Sequence, residues 1–149
     1  MPAIETLGNI VNTTQTATLW GIFIIVTTVA VQSIVASFVK ASSKGHIPGK
    51  IDSALSHDSL IFRTYRTFQN SLENVPIMLA TCFLAIFANA DTSAMCTIVW
   101  VYAIARIMHM ALYYLIATEK NPSPRSIFFM IGLFANIALL IHIATTLAA

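Results

Sequence analysis

The sequence predicts an all-α membrane protein, a bundle of four transmembrane helices, and three observations carry that prediction. Of the 149 residues, 57% are hydrophobic and only 9% are charged, and the mean hydropathy is +0.78, far from the balance of water-soluble domains. Four apolar segments are long enough, or nearly so, to cross a hydrocarbon core that takes roughly 20 helical residues. These segments almost fill the chain, which leaves little for a soluble domain.

The first span is expected at Ala17 to Val39. The segment before it, "MPAIETLGNIVNTTQ", has no positively charged leader region, so this span is expected to remain in the mature protein. Lys40 to Asp58 contains Gly45, Pro48 and Gly49 and reads as a loop. The second helix is expected from about Ser59 to Ala90, with Val75 to Ala90 as its apolar part. A tight turn at Asn89 to Ser93 leads to the third span, Ala94 to Thr118, and the Pro-containing "EKNPSPR" separates it from the fourth, Ser126 to Ala148. Cys82 and Cys96 lie on apolar helix surface without disulfide-like or metal-ligand spacing and read as packing residues, so no metal site is expected.

Basic residues concentrate in cytoplasmic connections. Lys40, Lys44, Lys50, Arg63, Arg66, Lys120 and Arg125 all belong to the first and third connections or the helix mouths beside them, and Arg106 is the only other basic residue. This predicts both termini outside and the "RTYRTFQNSLEN" mouth facing the cytosol. The net charge of +2 is thereby explained by topology and does not point to nucleic acid.

Within that mouth, Arg63, Arg66, Asn70 and Glu73 fall at i, i+3, i+7 and i+10, one polar stripe on a helix. A charge near the bilayer core is expensive, so the stripe is expected to face a bundle interior or a water-filled cavity. Pro76, just beyond, removes a backbone donor and is a candidate bend. The third span repeats the pattern with Tyr102, Arg106, His109 and Tyr113. A simple account pairs Glu73 with Arg106 to hold the helices in register. It leaves Arg63, Arg66 and Arg125 without carboxylates on the spans, and this surplus of positive charge points to an anionic ligand. At the start of the fourth span, Ser123 is a candidate N-cap and Pro124 a candidate first helical residue, followed by Arg125 and Ser126. A guanidinium at a helix N-terminus suits a developing anion.

Taken together these residues resemble the MAPEG family, the membrane-associated proteins in eicosanoid and glutathione metabolism. The resemblance runs from about Asp58 to Phe129 and rests on "RxxRxxxNxxENxP" (Arg63, Arg66, Asn70, Glu73, Asn74, Pro76), "ARIMHMALY" (Arg106, His109, Tyr113) and "PRS" (Arg125, Ser126). It implies a homotrimer of four-helix protomers with glutathione bound between neighbouring subunits, in a cleft open to the cytosol. On that analogy Arg63, Arg66, Arg106 and His109 recognise carboxylates and backbone, Asn70 bonds the peptide, Glu73 takes the ammonium and Tyr113 lines the cleft. Arg125 is the implied catalytic residue, with Ser126 donating to the same sulfur. Lowering a thiol from its usual pKa of about 8.5 by two units takes roughly 2.7 kcal/mol.

The sequence departs from the family pattern in two places. The first span offers Gln32 and Lys40 where relatives often carry an arginine, and the gap from Tyr113 to Arg125 is longer than in some of them. The implied activity is a microsomal-type glutathione transferase acting on hydrophobic electrophiles that enter from the bilayer, with glutathione peroxidase activity toward lipid hydroperoxides as a companion. The alternatives are a noncatalytic lipid-binding protein of the lipoxygenase-activating type and a specialised eicosanoid synthase; a small transporter or channel using the polar stripes as an ion path is a third reading. A bacterial inner membrane and an endoplasmic reticulum fit equally. His46, His57 and His142 receive no role.

Overall fold

The computed structural model of the chain describes residues 2–43, 47, 50–116, 119 and 124–149, with side chains from residue 12 onward. It comprises four helices: α1 (Pro2–Ala41), α2 (Leu60–Phe87), α3 (Thr92–Leu115) and α4 (Arg125–Ala148). Each contains a stretch long and apolar enough to cross a membrane, and no strand occurs among the described residues. The fold is the four-helix membrane bundle that hydropathy predicts.

Helix α1 starts well before the apolar run that marks its span. Its 40 residues extend about 60 Å at 1.5 Å per residue, roughly twice the hydrocarbon thickness. Hydropathy locates a span and not the helix that carries it. The buried stripe of α1 is Thr18, Gly21, Ile25 and Gln32. At Gly21 the helix meets α3 so closely that an added Cβ would stand 2.7 Å from Val99 Cγ1. Trp100 of α3 donates its indole N–H to the Ala17 carbonyl at 3.0 Å, fixing the same pair of helices.

Helix α2 runs unbroken through Pro76 and ends earlier than the apolar pattern implies. Its carbonyls are closed by Asn89, which adopts a left-handed φ of 53°. Asn89 N–H bonds Ile86 O at 3.2 Å and Ala90 N–H reaches back to Ala85 O at 3.0 Å, the pairing that terminates helices around a left-handed residue. Asp91 then caps α3 by accepting from Ala94 N–H at 2.9 Å. The turn is therefore specified by an asparagine that tolerates the left-handed region and an aspartate beside it. At α4 the N-cap position belongs to Pro124, so the helix starts one residue later than the placement of Pro124 as first helical residue requires. Ser123 lies outside the described residues.

α1 packs on α2 and α3, while α4 packs on α3 and α2; among the described residues α1 and α4 do not touch. The interior is divided along its length. Toward the α2–α3 turn it is apolar, built from Met78, Cys82, Ala85, Met95, Val99, Leu139 and Ile143. Toward the other end the buried residues are Thr64, Thr67, Ser71, Arg106, His109 and Tyr113. Thr64 and Thr67 satisfy their hydroxyls on their own helix, through Leu60 O at 3.0 Å and Arg63 O at 2.7 Å. The polar half of the bundle is the half beneath the basic connections.

Candidate functional site

The site assembles where the connections preceding α2 and preceding α4 meet. Its centre is Tyr113, in the last turns of α3 and 7% exposed. Arg125, the first residue of α4, lays its guanidinium over the Tyr113 ring with Cζ 4.2 Å from the centroid. Arg66 of α2 lies beside the same tyrosine. The hydroxyl of Tyr113 meets His57 Nδ1 at 3.2 Å, and His57 stacks edge-on against Phe62 with centroids 4.9 Å apart. Sequence reasoning gave His57 no role, because it lies in a connection where no periodicity applies and only the tertiary fold brings it to Tyr113.

The two connections are fastened to each other. His57 N–H donates to Glu119 Oε1 at 2.8 Å, and Glu119 N–H donates to Asp58 Oδ1 at 3.4 Å. The His57 N–H bond holds the Glu119 carboxyl below the usual glutamate range, with Ser56, His57 and Arg125 acting in the same direction. Arg63 donates to the carbonyls of His57 at 2.9 Å and Asp58 at 3.1 Å, so its guanidinium shapes this connection.

His109 ties α3 to the start of α4. Its Nδ1 lies 3.0 Å from the Arg125 carbonyl. A carbonyl can only accept, so Nδ1 carries a hydrogen, and the buried Nε2 has no partner among the described residues. The 3.0 Å bond and the Tyr113 stack together hold Arg125 in place, although its residue number is far from the "ARIMHMALY" segment. The longer gap before α4 does not keep Arg125 from the tyrosine.

Of the two settings expected for the stripe of α2, a bundle interior or a water-filled cavity, the single chain does not provide the first. The buried face of α2 is Thr64, Thr67, Ser71 and Val75, one residue further round the helix. Arg63, Arg66 and Asn70 are half-buried on its flank and Glu73 is exposed. Asn74 donates to the Asn70 carbonyl at 2.7 Å, while the buried Asn70 Oδ1 has no partner. The suggested Glu73–Arg106 pair is absent: Arg106 is 2% exposed and donates to Ser71 Oγ at 2.8 Å instead. Arg106 thus points into the bundle, toward Ser71. Gln32 is fully enclosed by its own chain, whereas Lys40 is half-exposed at the end of α1. Ser126 is exposed on the first turn of α4. No group of three or more metal-ligating side chains occurs among the described residues.

A family model of the MAPEG family matches residues 17–145. The chain belongs to the MAPEG family. The match covers most of the sequence, including every helix segment that forms the bundle core and the Tyr113–Arg125 cluster. No curated protein and no solved structure gives a significant match. Membership makes this an integral, multi-pass membrane protein of eicosanoid or glutathione metabolism, in a family whose members generally use glutathione.

Proposed function

We propose that this MAPEG protein is a glutathione transferase that binds glutathione at the Tyr113–Arg125 end of the bundle and activates it as the thiolate. The observation that carries the reading is the guanidinium of Arg125, held at the first turn of α4 by the Tyr113 ring at 4.2 Å. A cation and a helix N-terminus directed at one point favour an anion there.

The other groups are complementary to glutathione, which carries two carboxylates, an ammonium, two peptide groups and a thiol. Arg66 lies beside Tyr113 for a carboxylate, and the unpartnered Asn70 Oδ1 and His109 Nε2 can accept from peptide N–H groups. Glu73 is the carboxylate for the ammonium. Arg63 and His109 also act indirectly, by holding the His57 connection and the Arg125 backbone. Arg106, bonded to Ser71, contributes from behind the wall.

In the reaction the thiol proton leaves to solvent and the sulfur becomes a thiolate beside Arg125. The sulfur then bonds to an electrophilic carbon of a lipophilic substrate from the bilayer, whose leaving group departs with the bonding pair. Ser126, on the same turn, donates to the sulfur. With a lipid hydroperoxide the thiolate bonds to the terminal peroxide oxygen, and the O–O bond breaks with its pair leaving on the lipid alkoxide, which takes a proton from solvent. A second glutathione converts the resulting sulfenic acid to the disulfide and water.

A homotrimer completes the site in this proposal. Glu73 sits near the middle of α2 and is exposed on a single chain, where contact with lipid would be costly for a carboxylate. A neighbouring copy covering the α2 flank removes that cost and supplies the second wall. The concentration of basic residues in the connections at this end supports its facing the cytosol.

The test is ultraviolet thiolate absorbance on adding glutathione to the purified protein. Wild type is expected to develop the signal and Arg125→Ala to lose it while still binding glutathione. A folded wild type that binds glutathione without a thiolate signal would refute activation and favour the noncatalytic lipid-binding reading.

A further inference from the structure

Behind the site, between α2, α3 and α4, lies a second polar space around Arg106, apart from the Tyr113–Arg125 contact. It has a volume of about 40 Å³, and Asn74, Tyr102, Arg106 and Asn136 form its polar lining while Ile77 and Leu133 stand at its rim. Ile77 and Leu133 are 56% and 37% exposed, whereas Tyr102, Arg106 and Asn136 are 2%, 2% and 8% exposed. The cavity therefore has a polar floor and an apolar mouth.

Three buried polar atoms on that floor have no hydrogen-bond partner among the described residues: Arg106 Nε, Tyr102 Oη and Asn136 Oδ1. Arg106 spends one terminal nitrogen on Ser71, which is neutral, and no carboxylate compensates its charge. A buried cation in the middle third of a membrane helix requires a counter-charge. Room is not limiting, since a single water needs only about 10–15 Å³. Water would satisfy the hydrogen bonds and leave the charge uncompensated; an anion compensates the charge and accepts from the Arg106 Nε–H and the Tyr102 O–H together, while Asn136 Oδ1, which can only accept, is left to a donor other than the anion.

We propose that this cavity is a binding site for one small, singly charged anionic group, gripped by Arg106 and Tyr102. Two sources share that chemistry: a free inorganic anion such as a halide, and the carboxylate head of an amphiphile whose chain leaves past Ile77 and Leu133. The proposal does not rest on glutathione binding, since the Arg106 Nε and Tyr102 Oη that it uses are separate from the Tyr113–Arg125 contact and Arg106 bonds Ser71 within the bundle.

Gly132 supplies a variant that shrinks the cavity without touching a polar group. A Cβ there would lie 3.7 Å from Tyr102 Cε2 and 3.8 Å from Arg106 Cδ, ordinary contact distances. Larger side chains than alanine would project further into the space.

The test is thermal unfolding of the full chain in a neutral detergent, purified without glutathione. One arm titrates bromide at constant ionic strength, with gluconate, too bulky for the cavity, as the balancing anion. The other titrates dodecanoate against its uncharged methyl ester. A saturable rise in Tm with bromide identifies a free anion, and a rise with dodecanoate but not the ester identifies an amphiphile. Either rise is expected to vanish in Arg106→Gln and to require about tenfold more ligand in Tyr102→Phe, the equivalent of one hydrogen bond to a charged group. If Arg106→Gln does not fold, Tyr102→Phe and Gly132→Val, which retain the guanidinium, decide the matter. The proposal is overturned if wild type responds to neither ligand, if Arg106→Gln responds equally, or if both retained-guanidinium variants bind with unchanged affinity.

Discussion

The Arg125 guanidinium stacks on the Tyr113 ring at 4.2 Å although the entire connection between α3 and α4 separates the two residues. The ring positions the cation, and the tyrosine hydroxyl is free to do something else: it meets His57 at 3.2 Å. These two functions separate by substitution. Tyr113→Phe keeps the aromatic face, so thiolate formation is expected within about threefold of wild type, whereas Tyr113→Leu loses a cation–π contact of about 0.5–2 kcal/mol and is expected to fall by roughly 2- to 30-fold. Thiolate absorbance at saturating glutathione measures both, and equal losses in the two variants would show that the hydroxyl matters more than the ring.

The contact of α1 with α3 gives a prediction about stability alone. Val99 is fully buried and β-branched, so its Cγ1, 2.7 Å from a Cβ at Gly21, has little freedom to turn aside. Gly21→Ala is expected to cost about 1–3 kcal/mol by overpacking. Adding Val99→Ala should recover part of that loss, and a double variant less stable than either single one in thermal unfolding would refute the clash as the cause.

Much of this was legible in the sequence, and the misses have identifiable physical origins. The four spans follow from apolar runs, and the stripes at Arg63–Arg66–Asn70–Glu73 and Arg106–His109–Tyr113 follow from helical spacing. Spacing does not say which stripe turns inward. Thr64, Thr67 and Ser71 are rotated only one residue from the charged stripe, and small hydroxyl side chains that bond their own helix can pack at a helix contact where arginines are crowded out. Likewise Arg106 and Glu73 looked like a pair because both carry charge, yet Ser71 presents the acceptor that Arg106 reaches. The role of His57 depends on contacts with Tyr113 and Glu119, both remote in sequence.

Ser71 is accordingly a better target than Glu73 for probing the interior of the bundle. Ser71→Ala removes the acceptor at 2.8 Å from Arg106 and leaves more of a buried charged group unsatisfied, at an expected cost of about 1–3 kcal/mol. Glu73→Gln, on the exposed flank of a single chain, should leave the unfolding free energy of dissociated protomers within about 0.5 kcal/mol of wild type, as surface substitutions do. Reversed magnitudes in detergent-dissociated protein would mean that Glu73 reaches into the bundle.

The fastening of the two connections carries a pH dependence whose sign is fixed by Glu119. Its carboxyl is held below the usual glutamate range, first by the His57 N–H, so the ionised form is favoured when the connections are joined. The joining is therefore complete above the usual glutamate range and is lost as pH falls through the lowered value. Glu119→Gln, which cannot ionise, should abolish that acid transition while leaving the helices folded. The His57 amide resonance in a pH titration reports the change directly: wild type is expected to titrate below the usual range of about 4.3 and the variant to remain flat. A wild-type midpoint at or above that range would mean that the N–H bond does not favour the carboxylate, and the connections would then owe their proximity to the Glu119 N–H bond to Asp58 Oδ1 and to the contact of Tyr113 with His57.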